Sequence, residues 1–165
     1  MSAPVPVEAL NVGDHILTLD SGYQPIRWIG QRDLAAADLA ANPKLRPILF
    51  KRGSCGKGMP MQDMRLSPQH RVLLTGHRAE LISGETEVLA PAQHFAGLPG
   101  IVQDGGAAGV SYIHLLFDRH EIIRSDGLWT ESFQPALATL SGMEAEQRQE
   151  LTSLFPELCA ANSAA

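Results

Sequence analysis

The sequence predicts a mostly β fold closed by a C-terminal helix, and three observations predict it. Apolar runs are short, at most about five residues, and most end at turn-forming residues. Glycine (15) and proline (11) are spread along the chain, where they punctuate those runs. From Ser141 onward the pattern changes to helical periodicity. A chain of 165 residues, 44% hydrophobic and 19% charged, is long enough for one domain with a real core.

Residues 5–10 lead into the turn Asn11-Val-Gly-Asp14, and residues 15–19 form the first strand. Asp20-Ser-Gly22 turns the chain into a returning strand over residues 23–29. Pro25 cannot donate to a ladder, so that strand runs along an edge or bends. The alanine-rich residues 34–41 predict a short helix that stops at Asn42-Pro43. Residues 46–51 are a strand, and Ser67-Pro-Gln-His70 is a turn that hands over to a strand at 71–75. Gly76-His77 predicts a turn, 78–83 a strand, and Gly84-Glu85 a hairpin into 86–89. Residues 90–95 form one helical turn before a glycine-rich loop over 97–109.

Residues 110–117 carry the strongest strand signal. On a period of two, His114, Leu116, Asp118 and His120 share one face if the extended form continues. Residues 121–124 and 128–133 are strands joined by Ser125-Asp-Gly127. Ser141-Gly-Met-Glu144 is a capping box, and Met143, Leu151, Leu154 and Phe155 form an apolar stripe that packs back onto the β body. The organisation predicted is a β domain over residues 1–140, a helix over 141–158 packed on it, and a frayed tail over 159–165.

Composition narrows the function classes. A net charge of −5, with no basic run longer than Lys51-Arg52, argues against nucleic-acid binding. Nothing is long and apolar enough to span a membrane, and the N-terminus has no signal-peptide pattern. The location expected is cytoplasmic for the chain as given, or secreted as part of a larger protein. Cys55 and Cys159 make neither a disulfide framework nor a Cys-x-x-Cys site, so both are read as free thiols. Gly53-Ser-Cys-Gly-Lys-Gly58 lacks the residue order of a phosphate-binding loop.

Of six histidines, His15 and His77 sit beside turns and His94 ends an amphipathic turn, whereas His70, His114 and His120 lie among polar residues. Ser67 and His70, three apart on a proline turn, can both address one peptide group. The hydroxyl would orient it and the imidazole would donate a proton to its nitrogen. Asp118 lies two residues from His120 and could raise its basicity.

The ordered segments Val5-Pro-Val-Glu-Ala-Leu-x-x-Gly-Asp14, Gln24-Pro-Ile-Arg-Trp-Ile-Gly30, Asp63-Met-Arg-Leu-Ser-Pro-Gln-His-Arg-Val-Leu73, Phe117-Asp-Arg-His-Glu121 and Thr130-Glu-Ser-Phe133 resemble the bacterial Hint (hedgehog/intein) domains. The resemblance covers residues 5–155. It implies a horseshoe of short strands and hairpins that performs an N-to-S or N-to-O acyl shift on its own polypeptide, without metal or organic cofactor. Ser67-Pro-Gln-His70 resembles the family's Thr-x-x-His block, and Asp118-Arg-His120 its late histidine block. The catalytic set so implied is Ser67, His70, Asp118 and His120.

The family's nucleophile opens a strand ahead of the position of Val5, for which Met1-Ser-Ala-Pro4 leaves no room. Neither Cys55 nor Cys159 aligns with it, so processing is expected to be lost in this chain as it stands. The partner implied is an upstream polypeptide segment in a precursor. The uncovered sheet edge left behind is expected to favour self-association. One alternative is a non-catalytic β-rich structural or binding module. A more distant one is a metal-dependent hydrolase built on His114, Asp118 and His120 with His70.

Overall fold

A computed structural model describes residues 3–105, 108–132 and 145–157, and they form the mostly β architecture that the turn-punctuated sequence predicts. A 3-10 turn at Val7–Ala9 precedes the hairpin of β1 (His15–Leu17) and β2 (Tyr23–Pro25), with Gln24 opposite Ile16. The long strand β3 (Trp28–Ala35) follows and runs into helix α1 (Ala36–Ala41). The strand thus extends six residues past the predicted end at 29, and the helix starts later than predicted. Leu34 and Leu39 are both buried, and the Asp38 carboxylate caps the Ala35 N–H at 2.8 Å, which fixes the strand-to-helix switch at Ala35.

After a 3-10 turn at Pro43–Leu45 come β4 (Ile48–Phe50), β5 (Met64–Leu66) and β6 (Arg71–Thr75). Residues 78–83, expected as a strand, belong instead to helix α2 (His77–Ser83). Gly76 enters it at φ 76°, Gly84 closes it in the left-handed conformation at φ 77°, and Ala79 is fully buried. The two glycines were legible as turns; here they cap a helix that bridges β6 to β7 (Glu87–Pro91). A 3-10 turn follows at Ala92–Phe95. The glycine-rich stretch then contains a strand, β8 (Ile101–Gln103), because fully buried Ile101 pairs with Phe50 of β4.

Strand β9 (Gly109–Leu116) pairs antiparallel with β3 along their whole lengths, from Trp28 opposite Leu116 to Ala35 opposite Gly109. The hairpin of β10 (Ile122–Ser125) and β11 (Leu128–Glu131) joins β6 and β7 in a four-stranded sheet of order β10-β11-β6-β7. Helix α3 (Ala145–Leu154) completes the described chain. The Ser141–Glu144 capping box, Met143, Cys159 and the tail lie outside the described residues.

Burial organises these pieces around three cores. One fills the space between β4, β6, β7 and the Ala92–Phe95 turn with Ile48, Phe50, Val72, Phe95 and Ile101, each side chain worth about 1.5–3 kcal/mol when fully buried. A second joins α3 to the β3–β9 ribbon: Leu151, Leu154 and Phe155 meet Leu34, Leu39 and Tyr112. The Tyr112 hydroxyl donates to the Leu45 carbonyl at 2.6 Å, tying β9 to the preceding 3-10 turn. The third holds Ile26, Leu115, Phe117 and Ile123. Among the described residues no helix is long and apolar enough to cross a membrane.

Candidate functional site

The Ser67–His70 turn is the point where sheet β5-β4-β8 hands the chain to sheet β10-β11-β6-β7. Pro68 favours the bend, and the His70 N–H closes it on the Ser67 carbonyl at 3.0 Å. From the far side the turn is pinned by Ala92 N–H to the His70 carbonyl (2.8 Å) and Gln93 N–H to the Pro68 carbonyl (3.0 Å). Ser67 and Gln69 are consequently buried.

Helix α3 lies against this turn. The Glu150 carboxylate accepts the Gln69 N–H at 2.9 Å, and Glu146 one turn earlier meets the side-chain amides of Gln69 (3.5 Å) and Gln93 (3.3 Å). The Ser67 hydroxyl stands beside Glu150, close enough to lower its pKa, yet it completes no hydrogen bond of good geometry. The His70 Nε2 is likewise shut off from solvent, with no hydrogen-bond partner among the described residues. Buried polar atoms left in that state are uncommon, and a catalytic role is one of the few reasons for keeping them.

From β9, His114 presents its ring to His70, with centroids 6.1 Å apart and planes crossed at 67°. Phe155 covers the His114 ring from the helix side (5.0 Å, 71°) and meets Trp28 edge-on (5.8 Å, 76°). Gly30, opposite His114 in the β3–β9 register, leaves room for this stack: a Cβ there would overlap the Trp28 ring and come within 2.9 Å of Phe155.

These surroundings divide the titrating groups by charge. Burial pushes His70 below the ordinary imidazole range, with the nearby Glu131 carboxylate partly offsetting it. Burial, and after it the neighbouring His70, pull His114 down to about 3. Both rings are therefore neutral at physiological pH. Glu150 moves the other way: burial raises it to about 7, against the lowering effect of Ser67 and the Gln69 N–H. His120 is raised, chiefly by its hydrogen bond to Glu131, whose Oε1 lies 2.7 Å from Nε2. Arg71 stands 3.9 Å from the other Glu131 oxygen. A buried histidine pair thus sits next to a hydrogen-bonded His120–Glu131 pair with Arg71 beside it.

Ser67, His70, His114, His120, Glu131 and Glu150 all line one groove of about 1720 Å³. That is larger than the few hundred to about 1,000 Å³ usual for a small-molecule pocket. Of the four residues assigned by the sequence, the structure brings Ser67, His70 and His120 to this groove. Asp118 is instead on the exposed surface, past the end of β9, in a two-pronged ion pair with Arg27 (both contacts 3.0 Å). The carboxylate bonded to His120 belongs to Glu131. The shared face of His114, Asp118 and His120 ends because β9 stops at Leu116. Among the described residues no group of three or more His, Cys, Asp or Glu side chains is arranged to hold a metal.

Two site residues were missed by sequence reasoning. Glu131 lay within the quoted Thr130-Glu-Ser-Phe133 segment but was given no role. Glu150 carried a faint signal: Glu146 and Glu150 are like charges at i, i+4, which disfavour a solvated helix and point to partners elsewhere.

Fold and site together define a mostly β domain built around a buried Ser-x-x-His turn. The chain matches the family model described as Hint domain over residues 1–137, and it belongs to the Hint domain family. No curated protein and no solved structure matches it.

Proposed function

We propose that the domain activates a peptide bond of its own precursor for an N-to-S or N-to-O acyl shift, with Ser67 and His70 as the activating pair. The observation that carries this reading is the pairing on one turn of two buried polar atoms, Ser67 Oγ and His70 Nε2, facing a groove large enough for an extended chain. A neutral imidazole suits the task, because it can donate a hydrogen bond to the amide and then pass a proton.

In the step proposed, a cysteine thiol or serine hydroxyl attacks the carbonyl carbon of the peptide bond preceding it. A C–S or C–O bond forms, the C–N bond breaks, and the freed nitrogen gains the proton that the nucleophile loses, relayed by His70. The Ser67 hydroxyl and the turn hold the carbonyl oxygen while negative charge develops on it. Water then attacks the thioester or ester, releasing the upstream segment as a carboxylate and restoring the nucleophile. The described cysteine, Cys55, lies in the Gly53–Gly58 loop with its thiol pKa raised by burial, which ill suits it as the nucleophile. The upstream segment is the partner on which the site acts, and the nucleophile is the residue that follows it across the scissile bond.

The test is a fusion in which a reporter and an upstream strand opened by a junction cysteine precede the full chain. Cleavage at the junction, seen by intact mass and accelerated by added thiol, is the expected result, and His70→Ala abolishes it. An intact fusion, with and without thiol, overturns the reading.

A further inference from the structure

Glu150 lies beyond the residues matched to the family, on a helix that reaches the site from outside the sheets. A docking role does not account for it. Leu151, Leu154 and Phe155 already bury the apolar side of α3, and Glu146 tethers the helix at the rim. A carboxylate withdrawn from water costs stability, and an apolar side chain of similar volume would hold the helix at least as well. Yet the group stands against the turn that carries Ser67 and His70, and it lines the same groove.

We propose that Glu150 is a positioning residue of the Ser67–His70 site, fixing the turn through the Gln69 N–H and setting the direction in which the Ser67 hydroxyl points. Ser67 has one hydrogen to donate. An ionised Glu150 draws that hydrogen to itself, leaving only an oxygen lone pair for a bound peptide. A protonated Glu150 can instead donate to Ser67 Oγ, which frees the Ser67 O–H for a carbonyl oxygen in the groove. The second arrangement is the one that supports charge developing on that oxygen. Burial supports it by holding the carboxyl protonated up to about pH 7. The groups gathered around Glu150 are Ser67 and Gln69 from the turn and Tyr112 from β9. His70 and His114 line the same groove and are both neutral near pH 7, and Glu146 stands one turn away on α3.

The inference rests on the self-processing reading for its rate consequence, but its geometry can be tested without it. In the reporter fusion, Glu150→Leu keeps the buried volume and removes the hydrogen bonds, so cleavage should fall about 5- to 100-fold, the range for leaving a buried polar partner unsatisfied. Glu150→Gln, which can accept from Gln69 and donate to Ser67, should restore most of that loss. Equal cleavage in wild type and folded Glu150→Leu would overturn the proposal.

A wild-type fusion that never cleaves would sink the self-processing reading instead. Nuclear magnetic resonance of the 165-residue chain then decides the positioning role. The Gln69 amide signal should follow the Glu150 carboxyl titration, and Glu150→Gln should abolish that titration while keeping the amide protected from exchange. A Gln69 signal indifferent to both would overturn it.

Discussion

The imidazoles of His70 and His114 stand 6.1 Å apart, crossed at 67°, and burial keeps both neutral. This has a definite consequence for stability against pH. Between pH 6.5 and about 3, unfolded His114 takes up a proton that the folded protein refuses, so stability falls as pH drops through that window. Above 6.5 the residue contributes no slope. His70, also lowered, acts with the same sign. Glu150, raised from 4.5 to about 7, acts oppositely: its contribution is full below 4.5 and is lost as pH rises through 7. The slopes oppose each other between 4.5 and 6.5, and Glu150 contributes none below. Urea midpoints should show His114→Phe losing stability less steeply below pH 4.5, by about 1.4 kcal/mol per pH unit for one proton. An acid limb identical to wild type would contradict neutral burial of His114.

Glu131, and not Asp118, governs His120. The hydrogen bond at 2.7 Å raises the His120 pKa, so Glu131→Gln should lower it toward the ordinary value, as read from the imidazole proton shifts during a titration. Asp118→Asn should leave that titration where it is, because Asp118 is engaged with Arg27. Both members of that pair are more than half exposed, so its loss should change stability by less than about 1 kcal/mol. A His120 pKa that follows Asp118 instead would return Asp118 to the site.

Gly30 is small because of what stands over it. Its β3 backbone needs no unusual conformation, but an added methyl would collide with Trp28 and press on Phe155. Gly30→Ala should therefore cost about 1–3 kcal/mol, as overpacking does, and should disturb His114 through Phe155 without touching it. Chemical denaturation measures the cost. A neutral effect would mean that the Trp28–Phe155 stack is loose.

Sequence patterning revealed the parts of this molecule that depend on local order. The β9 strand was legible because Val110 to Phe117 alternates faces against one long partner, and the Ser67–His70 turn because proline and polar residues interrupt an apolar run. The α3 stripe of Leu151, Leu154 and Phe155 was legible for the same reason. Residues 78–83 were not, since two flanking glycines serve a hairpin and a capped helix equally well. The site was legible only in part. Ser67, His70 and His120 carry recognisable spacing, but which carboxylate reaches which histidine is settled by strand register: Glu131 sits opposite Ile122 in β11, beside β6. Glu150 comes from a helix about 80 residues away, and no local pattern announces such a contact.

Phe155 links the helix to the site, and its removal should separate docking from fold. The side chain is 1% exposed, wedged between Trp28 and His114. Truncating a buried phenylalanine costs about 3–5 kcal/mol. Much of that loss should fall on α3, because the four-stranded sheet and its Phe50–Phe95 core share no residue with this cluster. In a Trp129→Phe background, which leaves Trp28 as the remaining tryptophan, Phe155→Ala should shift the emission to the red. Protease should cut within residues 145–157 before it cuts the sheets, and the Gln69 amide should exchange faster as Glu150 withdraws. Simultaneous loss of all protection would show instead that α3 and the β body unfold as one unit. Slow exchange at Gln69 despite an exposed Trp28 would mean that the Glu150 contact holds without its apolar anchor.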